Sequence, residues 1–300
     1  VFNNSSSIAK TVEYTVNSLE SVNDIGYEII LVNDGSTDDS WSVLQELHLT
    51  YSGSIMLINL EKNFGQINAL LAGYVHAAGD AIISMAADMQ DPPALIPQFI
   101  SAWREGHRLV IARRVDRNDG RFTDFTSGVA WFLLNYFAHP NLPKGGFDFY
   151  LMDRRVRDHY VSNPEHNIFM QGRLLYFVRK AYSIDYERGV RKGGVSQTSF
   201  LRRLSYFTNG LIGYTNLPLR LIGVVGVGFW LMSSLYGLWI VIDVFFRGGK
   251  VEGWASLMVV ILFSAGMIML ALAVIAEYLL RGLDELRGRP HYVIDKLIGR

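Results

Sequence analysis

Asn33-Asp34-Gly35-Ser36-Thr37-Asp38-Asp39-Ser40 ends an apolar run on a carboxylate and follows it with a glycine, which lets backbone and ligand approach closely. An anionic Asp34 accepts hydrogen bonds from a nucleobase imide N–H and repels phosphate, so the base end of a nucleotide is the better match. The same stretch reads equally as a tight turn in which Asp38 or Ser40 caps the next helix, and the two readings are compatible. A second loop, Asn63-Phe64-Gly65-Gln66-Ile67-Asn68, opens a helix on a glycine, a pattern that serves packing more often than binding. In the third, Ala86-Ala87-Asp88-Met89-Gln90-Asp91-Pro92-Pro93, an extended chain would set residues 86, 88 and 90 on one face. The Asp88 carboxylate and the Gln90 carbonyl would then suit a hard cation, Mg2+ or Mn2+, that keeps several waters and shares phosphate oxygens. Asp91 is expected to cap a helix that has proline at its first position. A fourth stretch, Tyr186 to Ser196, collects Arg188, Arg191, Lys192, three glycines and a hydroxyl. It reads as a phosphate clamp, or alternatively as a basic patch against anionic lipid.

Elements that would position these loops alternate in type along the chain. Glu28 to Asn33, Ile55 to Leu60 and Ala81 to Met85 read as strands, with helices over Ser40 to Leu47 and Gln66 to Ala77. Such an order predicts a parallel sheet wrapped by helices up to about Tyr186, with ligands gathering outside the carboxyl ends of the strands. All three loops fall there.

Half of the 300 residues are hydrophobic, enough for one α/β domain and an apolar appendage. Lys and Arg balance Asp and Glu at 28 each, so no basic excess points to nucleic acid. The absence of cysteine excludes disulfides, thiolate zinc sites and a cysteine nucleophile, and the seven histidines show no metal-ligand pairing. Leu221 to Ile242 and Ala255 to Ala276 are each uncharged for about twenty-two residues, long enough to cross a hydrocarbon core of roughly 30 Å. Gly223, Gly226 and Gly228 would admit a close helix neighbour. Basic residues before the first span and after the second place both ends on the cytoplasmic side, as a hairpin anchor. Phe200, Leu204, Phe207, Leu211 and Tyr214 recur at helical spacing and predict a helix lying on the membrane surface. Phe122 to Phe137 fits either another such helix or an ordinary core helix. Asp153, Arg154 and Arg155 read as a solvated or structural charge cluster, or alternatively one of them lines the acceptor site, and Glu277 reads as the partner of a nearby basic group such as Arg281.

Taken together these stretches resemble the family 2 glycosyltransferases of the GT-A fold, in the branch that makes polyisoprenyl-phosphate sugars. The resemblance rests on VFNN at Val1, LVNDGSTDDS from Leu31, NFGQINALLAG from Asn63, AADMQDPP from Ala86, FDFYLMDRR from Phe147, the Arg188 to Ser196 stretch, two spans, and EYLLRGLDELRGRPHY from Glu277. It implies an α/β, Rossmann-like, mostly parallel sheet with helices on both faces over 1–186, its first strand preceding Val1. Beyond it come an acceptor-phosphate loop and interfacial amphipathic helix over 187–216, a transmembrane hairpin over 217–280 and a cytoplasmic tail over 281–300.

The activity implied is inverting transfer of a sugar to a polyisoprenyl phosphate such as undecaprenyl phosphate, by a metal-dependent homo-oligomer at the cytoplasmic membrane. UDP-glucose is the first choice of donor, with GDP-mannose and other UDP-sugars behind. Phe2, Asp34, Asn63, Gly65 and Asp88 would bind the nucleotide sugar. Asp88 and Gln90 would hold the metal, and Arg117, Arg188, Arg191 and Ser196 the acceptor phosphate, with Asp88, Arg188 and Arg191 catalytic. Ala86 departs from the pattern where relatives often carry a first acid, and Tyr150 where they often carry arginine or a smaller residue. A phosphate acceptor is already largely ionised at neutral pH, so no strong general base is required. The rival readings are a processive polysaccharide synthase, which needs more membrane helices, and an inactive scaffold.

Overall fold

The structure, a computed structural model, describes residues 1–114, 142–143, 146–165, 169–186, 217–247 and 253–299. These fall into two units, one of residues 1–210 with 289–300 and one of residues 211–288.

In the first unit the chain runs α1 (Ile8–Glu20), β1 (Ile29–Asn33), α2 (Ser40–Thr50), β2 (Ile55–Leu60), α3 (Gln66–His76) and β3 (Ala81–Ser84). A 3-10 turn (Pro93–Leu95), α4 (Ile96–Arg104) and β4 (Leu109–Arg114) follow, then β5 (Tyr150–Asp153), α5 (Arg154–Ser162), α6 (Met170–Tyr176) and β6 (Tyr182–Tyr186). The last element is β7 (Ile294–Ile298). Strands pair as β1-β2-β7 and as β3-β5-β4-β6.

β1 and β2 are near-continuous apolar runs because helices cover both of their faces. Leu31 and Leu57 pack with Ile8, Val12 and Val16 of α1 and Leu44 of α2, while Ile58 and Leu60 pack with Ala69 and Ala72 of α3 on the other side. Each fully buried leucine of this kind stabilises by about 1.5–3 kcal/mol. In the second sheet Phe99 of α4 meets Phe149, their ring centroids 4.7 Å apart, above Val110 and Leu151.

The α/β class with helices on both faces is as expected, but the pairing is mixed rather than mostly parallel. β1–β2 and β4–β6 are parallel, whereas β2–β7, β3–β5 and β4–β5 are antiparallel. A second correction concerns 281–300, expected as a tail: its residues 294–298 are a strand of the globular sheet. Val1 adds a parallel rung beside β1, its N–H donating to Val32 O at 2.7 Å and its carbonyl accepting from Asp34 N–H at 2.9 Å.

The second unit is a pair of helices, α7 (Leu217–Arg247) and α8 (Trp254–Leu286). Phe229 and Phe263 pack across them at 5.2 Å. Leu219–Ile240 and Phe263–Leu286 are 22 and 24 residues long with mean hydropathy 1.8 and 2.0, and neither stretch is buried. Both helices are long and apolar enough to cross a membrane, and an exposed apolar surface of this extent is what lipid, not water, accommodates. α8 continues past the uncharged stretch, and there Arg281 Nη2 donates to Glu277 Oε1 at 2.9 Å, the pair anticipated. A side chain at Gly223, Gly226 or Gly228 would meet nothing within 4 Å among the described residues.

Candidate functional site

β1 delivers Asp34 to its carboxyl end, and there the carboxylate is buried and doubly engaged. Oδ1 accepts from Phe64 N–H at 2.7 Å and Oδ2 from Gly65 N–H at 3.0 Å. The first two loops are thus tied together by the residue that the sequence offered to a base. Burial pushes the Asp34 carboxyl pKa up, and the two backbone N–H groups hold it back only in part. Gly35 has φ +63 and a Cβ there would stand 2.4 Å from Asn63 N and from the Lys62 carbonyl carbon, so only glycine fits. Gly65, φ +90, turns the chain into α3. Asn63 is exposed beside this junction.

The third loop leaves β3 at Ser84 and folds back on itself. Asp91, buried, accepts Ala86 N–H at 2.9 Å, and Asp88 Oδ1 accepts Gln90 N–H at 3.1 Å. Met89 between them takes φ +61. The stretch is therefore a tight turn and not the extended run expected, because the local side-chain bond to the backbone competes with extension. Asp91 closes the loop instead of capping a helix, while Pro93 does sit at the start of the following 3-10 turn.

Residues 3–11 join the loops. Asn3 N–H donates to Ser36 Oγ at 3.0 Å, Thr37 N–H to Asn3 Oδ1 at 2.9 Å, and Asn4 N–H to Ser40 Oγ at 2.9 Å. Ser5 N–H donates to Asp38 Oδ2 at 3.2 Å. On the other side, the Ser7 and Thr11 hydroxyls donate to Ala87 O at 3.1 and 3.2 Å. Although what desolvation this exposed group suffers opposes it, hydrogen bonds from Ser40 and Ser5 hold the Asp38 carboxyl at about 2. This strap was missed in the sequence, where its Asn and Ser content was the available signal.

No group of three or more His, Asp and Glu side chains converges among the described residues. A cation would therefore draw on the half-buried Asp88 carboxylate and complete its shell with water and phosphate oxygens, a donor set that suits Mg2+ or Mn2+ shared with a ligand.

Residues 1–161 match the family model described as Glycosyl transferase family 2. Over 283 residues, 94% of this chain and 91% of the relative, the sequence is 34% identical to the SfII prophage-derived bactoprenol glucosyl transferase of Shigella flexneri. The chain belongs to glycosyl transferase family 2. The prophage bactoprenol glucosyl transferase homolog of Escherichia coli K12 is 33% identical over 94% of this glycosyltransferase and 92% of its own length. Among solved structures, glucosyl-3-phosphoglycerate synthase from Mycobacterium tuberculosis in complex with Mn2+, UDP and glucosyl-3-phosphoglycerate is similar at TM-score 0.48 and 18% identity, covering 69% and 73% of the two chains.

Within this glycosyltransferase, Phe2 is exposed at the start of the strap, its N–H donating to Asn4 Oδ1 at 3.1 Å. Tyr150, considered as a position near the acceptor, is fully buried on β5, where its hydroxyl meets those of Tyr74 and, at 3.5 Å, the sulfur of Met170. It is a core residue because β5 lies between β3 and β4. Asp148 is exposed just before β5, touched by the Gln171 amide at 3.4 Å. Asp153 accepts from Trp103 Nε1 at 2.9 Å and caps α5 through Arg155 N–H, the structural role expected. Arg117, Arg188, Arg191, Ser196, the surface helix and Phe122 to Phe137 lie outside the described residues.

Proposed function

We propose that this glycosyltransferase moves a glycosyl group, glucose from UDP-glucose in the first instance, onto a polyisoprenyl phosphate at the cytoplasmic face of a membrane. The observation that supports the reading is the strap of residues 3–11, which hydrogen-bonds the loop that follows Asp34, at Ser36, Thr37, Asp38 and Ser40, and the carbonyl of Ala87, next to Asp88. Asp34 and the glycine loop favour the nucleoside end, with Phe2, Asn63 and Gly65 beside them. Asp88 and the Gln90 carbonyl would hold Mg2+ or Mn2+, which when bound neutralises charge on the leaving diphosphate.

The apolar pair α7 and α8 supports a hairpin anchor with both termini cytoplasmic, so that a water-soluble donor meets a lipid acceptor at the bilayer. The relatives whose names specify bactoprenol support the lipid class, and undecaprenyl phosphate is its natural test substrate. Arg117, Arg188, Arg191 and Ser196 are proposed to orient the acceptor phosphate for in-line attack with inversion at the anomeric carbon.

The experiment is a panel of radiolabelled UDP-glucose, GDP-mannose and other UDP-sugars offered with undecaprenyl phosphate to the full chain in membranes. Label is expected in a lipid-phosphate product from UDP-glucose. Saturable nucleotide binding with no lipid-linked label from any donor would refute the reading.

A further inference from the structure

The loop that leaves β2, Glu61 to Gly65, has no helix or strand of its own, so its shape depends on what flanks it. β2 lies between β1 and β7, which sets the Asp34-Gly35 turn on one side of the loop and the chain entering β7 on the other. On the first side Asp34 accepts from Phe64 and Gly65 N–H, and Gly35 lies against the backbone of Lys62 and Asn63. On the second, Glu61 N–H donates to Val293 O at 3.0 Å, one residue beyond the Leu60–Ile294 pair.

A bulge decides which side chains arrive there. Asn59 lies opposite Lys296 and the next residue, Leu60, opposite Ile294, so Asp295 is the extra residue. Paired residues of a ladder share a face, as do residues two apart along a strand, and the slip therefore puts Ile294 and Tyr292 on the face of Leu60. That is the face α3 covers. Tyr292 and Ile294 pack there against Ile58, Leu60, Ala69 and Ala72, the apolar cluster against which Phe64 also packs. The Lys62 ammonium stands 5.3 Å from the centre of the Phe64 ring. Val293 has an exposed side chain and reaches the loop through its carbonyl.

We propose that Tyr292 is a positioning residue of the donor site: with the Val293 carbonyl it holds the Glu61–Gly65 loop in register with Asp34, so that the segment following the apolar helices sets how well the site receives the nucleoside. The inference rests on the nucleotide-sugar reading above and adds to it a residue more than two hundred positions from the loop it supports. Phe64 is the link, since its ring shares the Tyr292 cluster while its N–H is held by Asp34.

The test uses the full chain. In membranes it reads donor KM, acceptor KM and kcat separately, and on the solubilised chain without nucleotide it reads hydrogen exchange at the Phe64 and Gly65 amides. Y292A is expected to raise donor KM about tenfold, to leave kcat and acceptor KM within about twofold of the parent, and to speed exchange at both amides about tenfold or more. Y292F keeps the ring and is expected to hold donor KM within about twofold. I298A trims the other end of β7, where Ile298 packs with the cluster of Leu31 and Leu57, and is expected to leave donor KM and both amides within about twofold. A strand that only stabilised the sheet would make Y292A and I298A alike.

An unchanged donor KM in Y292A, or an equal rise in I298A, overturns the proposal. Should Y292A fail to accumulate, Y292L decides by the same comparison with I298A, with a rise of about fivefold expected because the side chain stays apolar but loses its ring. A parent chain that transfers from no nucleotide sugar refutes the functional reading instead. Exchange at Phe64 and Gly65, which needs no nucleotide, then decides whether Tyr292 holds the loop.

Discussion

Asp34 and Asp88 each follow a short apolar strand, yet the fold uses them in opposite ways. Asp34 is buried and spends both oxygens on backbone N–H groups of a neighbouring loop, so it holds the site together before any ligand arrives. Asp88 is half-buried and spends one oxygen on its own turn. The difference teaches that one carboxylate is mainly architecture, while the other commits a single oxygen to its own turn.

Substitutions sharpen this contrast. The largest expected loss of stability is from G35A, which combines a left-handed backbone with overlap on Lys62 and Asn63; about 3 kcal/mol or more is expected in denaturant unfolding of the solubilised chain. D34A strips the acceptors from two loop N–H groups and is expected to cost about 2–3 kcal/mol, with donor affinity lost in parallel. If D34A proved neutral for folding, the contrast with Asp88 would collapse. D91A, which opens the Asp88 loop at Ala86, is expected to cost about 1–2 kcal/mol and to raise the metal concentration needed for half-maximal rate.

The smallest effect belongs to Asp38. Its folded carboxyl at about 2 lies below the ordinary 3.8, so its contribution is present above pH 3.8 and is lost as pH falls through about 2. D38N should flatten the stability profile across that acid window and lower stability slightly at neutral pH, where the parent's contribution is present. Because the group is exposed, the difference is expected to be small.

Much of the first unit was legible because its signals are local. β2 runs over Ile55–Leu60 as read, and the Gly35 and Gly65 turns sit where backbone geometry demands glycine. The roles that escaped are those set by distant partners. Asp34 was read for its ligand and not for Phe64 and Gly65, thirty or so residues on, because a strand-end aspartate does not reveal which loop it will bond. Asp91 before two prolines has the local signature of a helix cap, and only the fold-back of its loop offers Ala86 N–H instead. β7 was read as tail since five residues, Ile294–Ile298, carry little periodicity, and the bond from Asn59 to Asp295 spans 236 positions. The two apolar helices were readable because length and uniform hydropathy need no partner.

The most direct test measures transfer to undecaprenyl phosphate against Mg2+ or Mn2+ concentration for the parent chain and D88A, with thermal unfolding of both. The account predicts a parent rate that saturates with metal and vanishes with chelator, and a D88A rate lower by about a thousandfold at an unchanged unfolding midpoint. Transfer at the parent rate by D88A, or a parent indifferent to chelator, would contradict it.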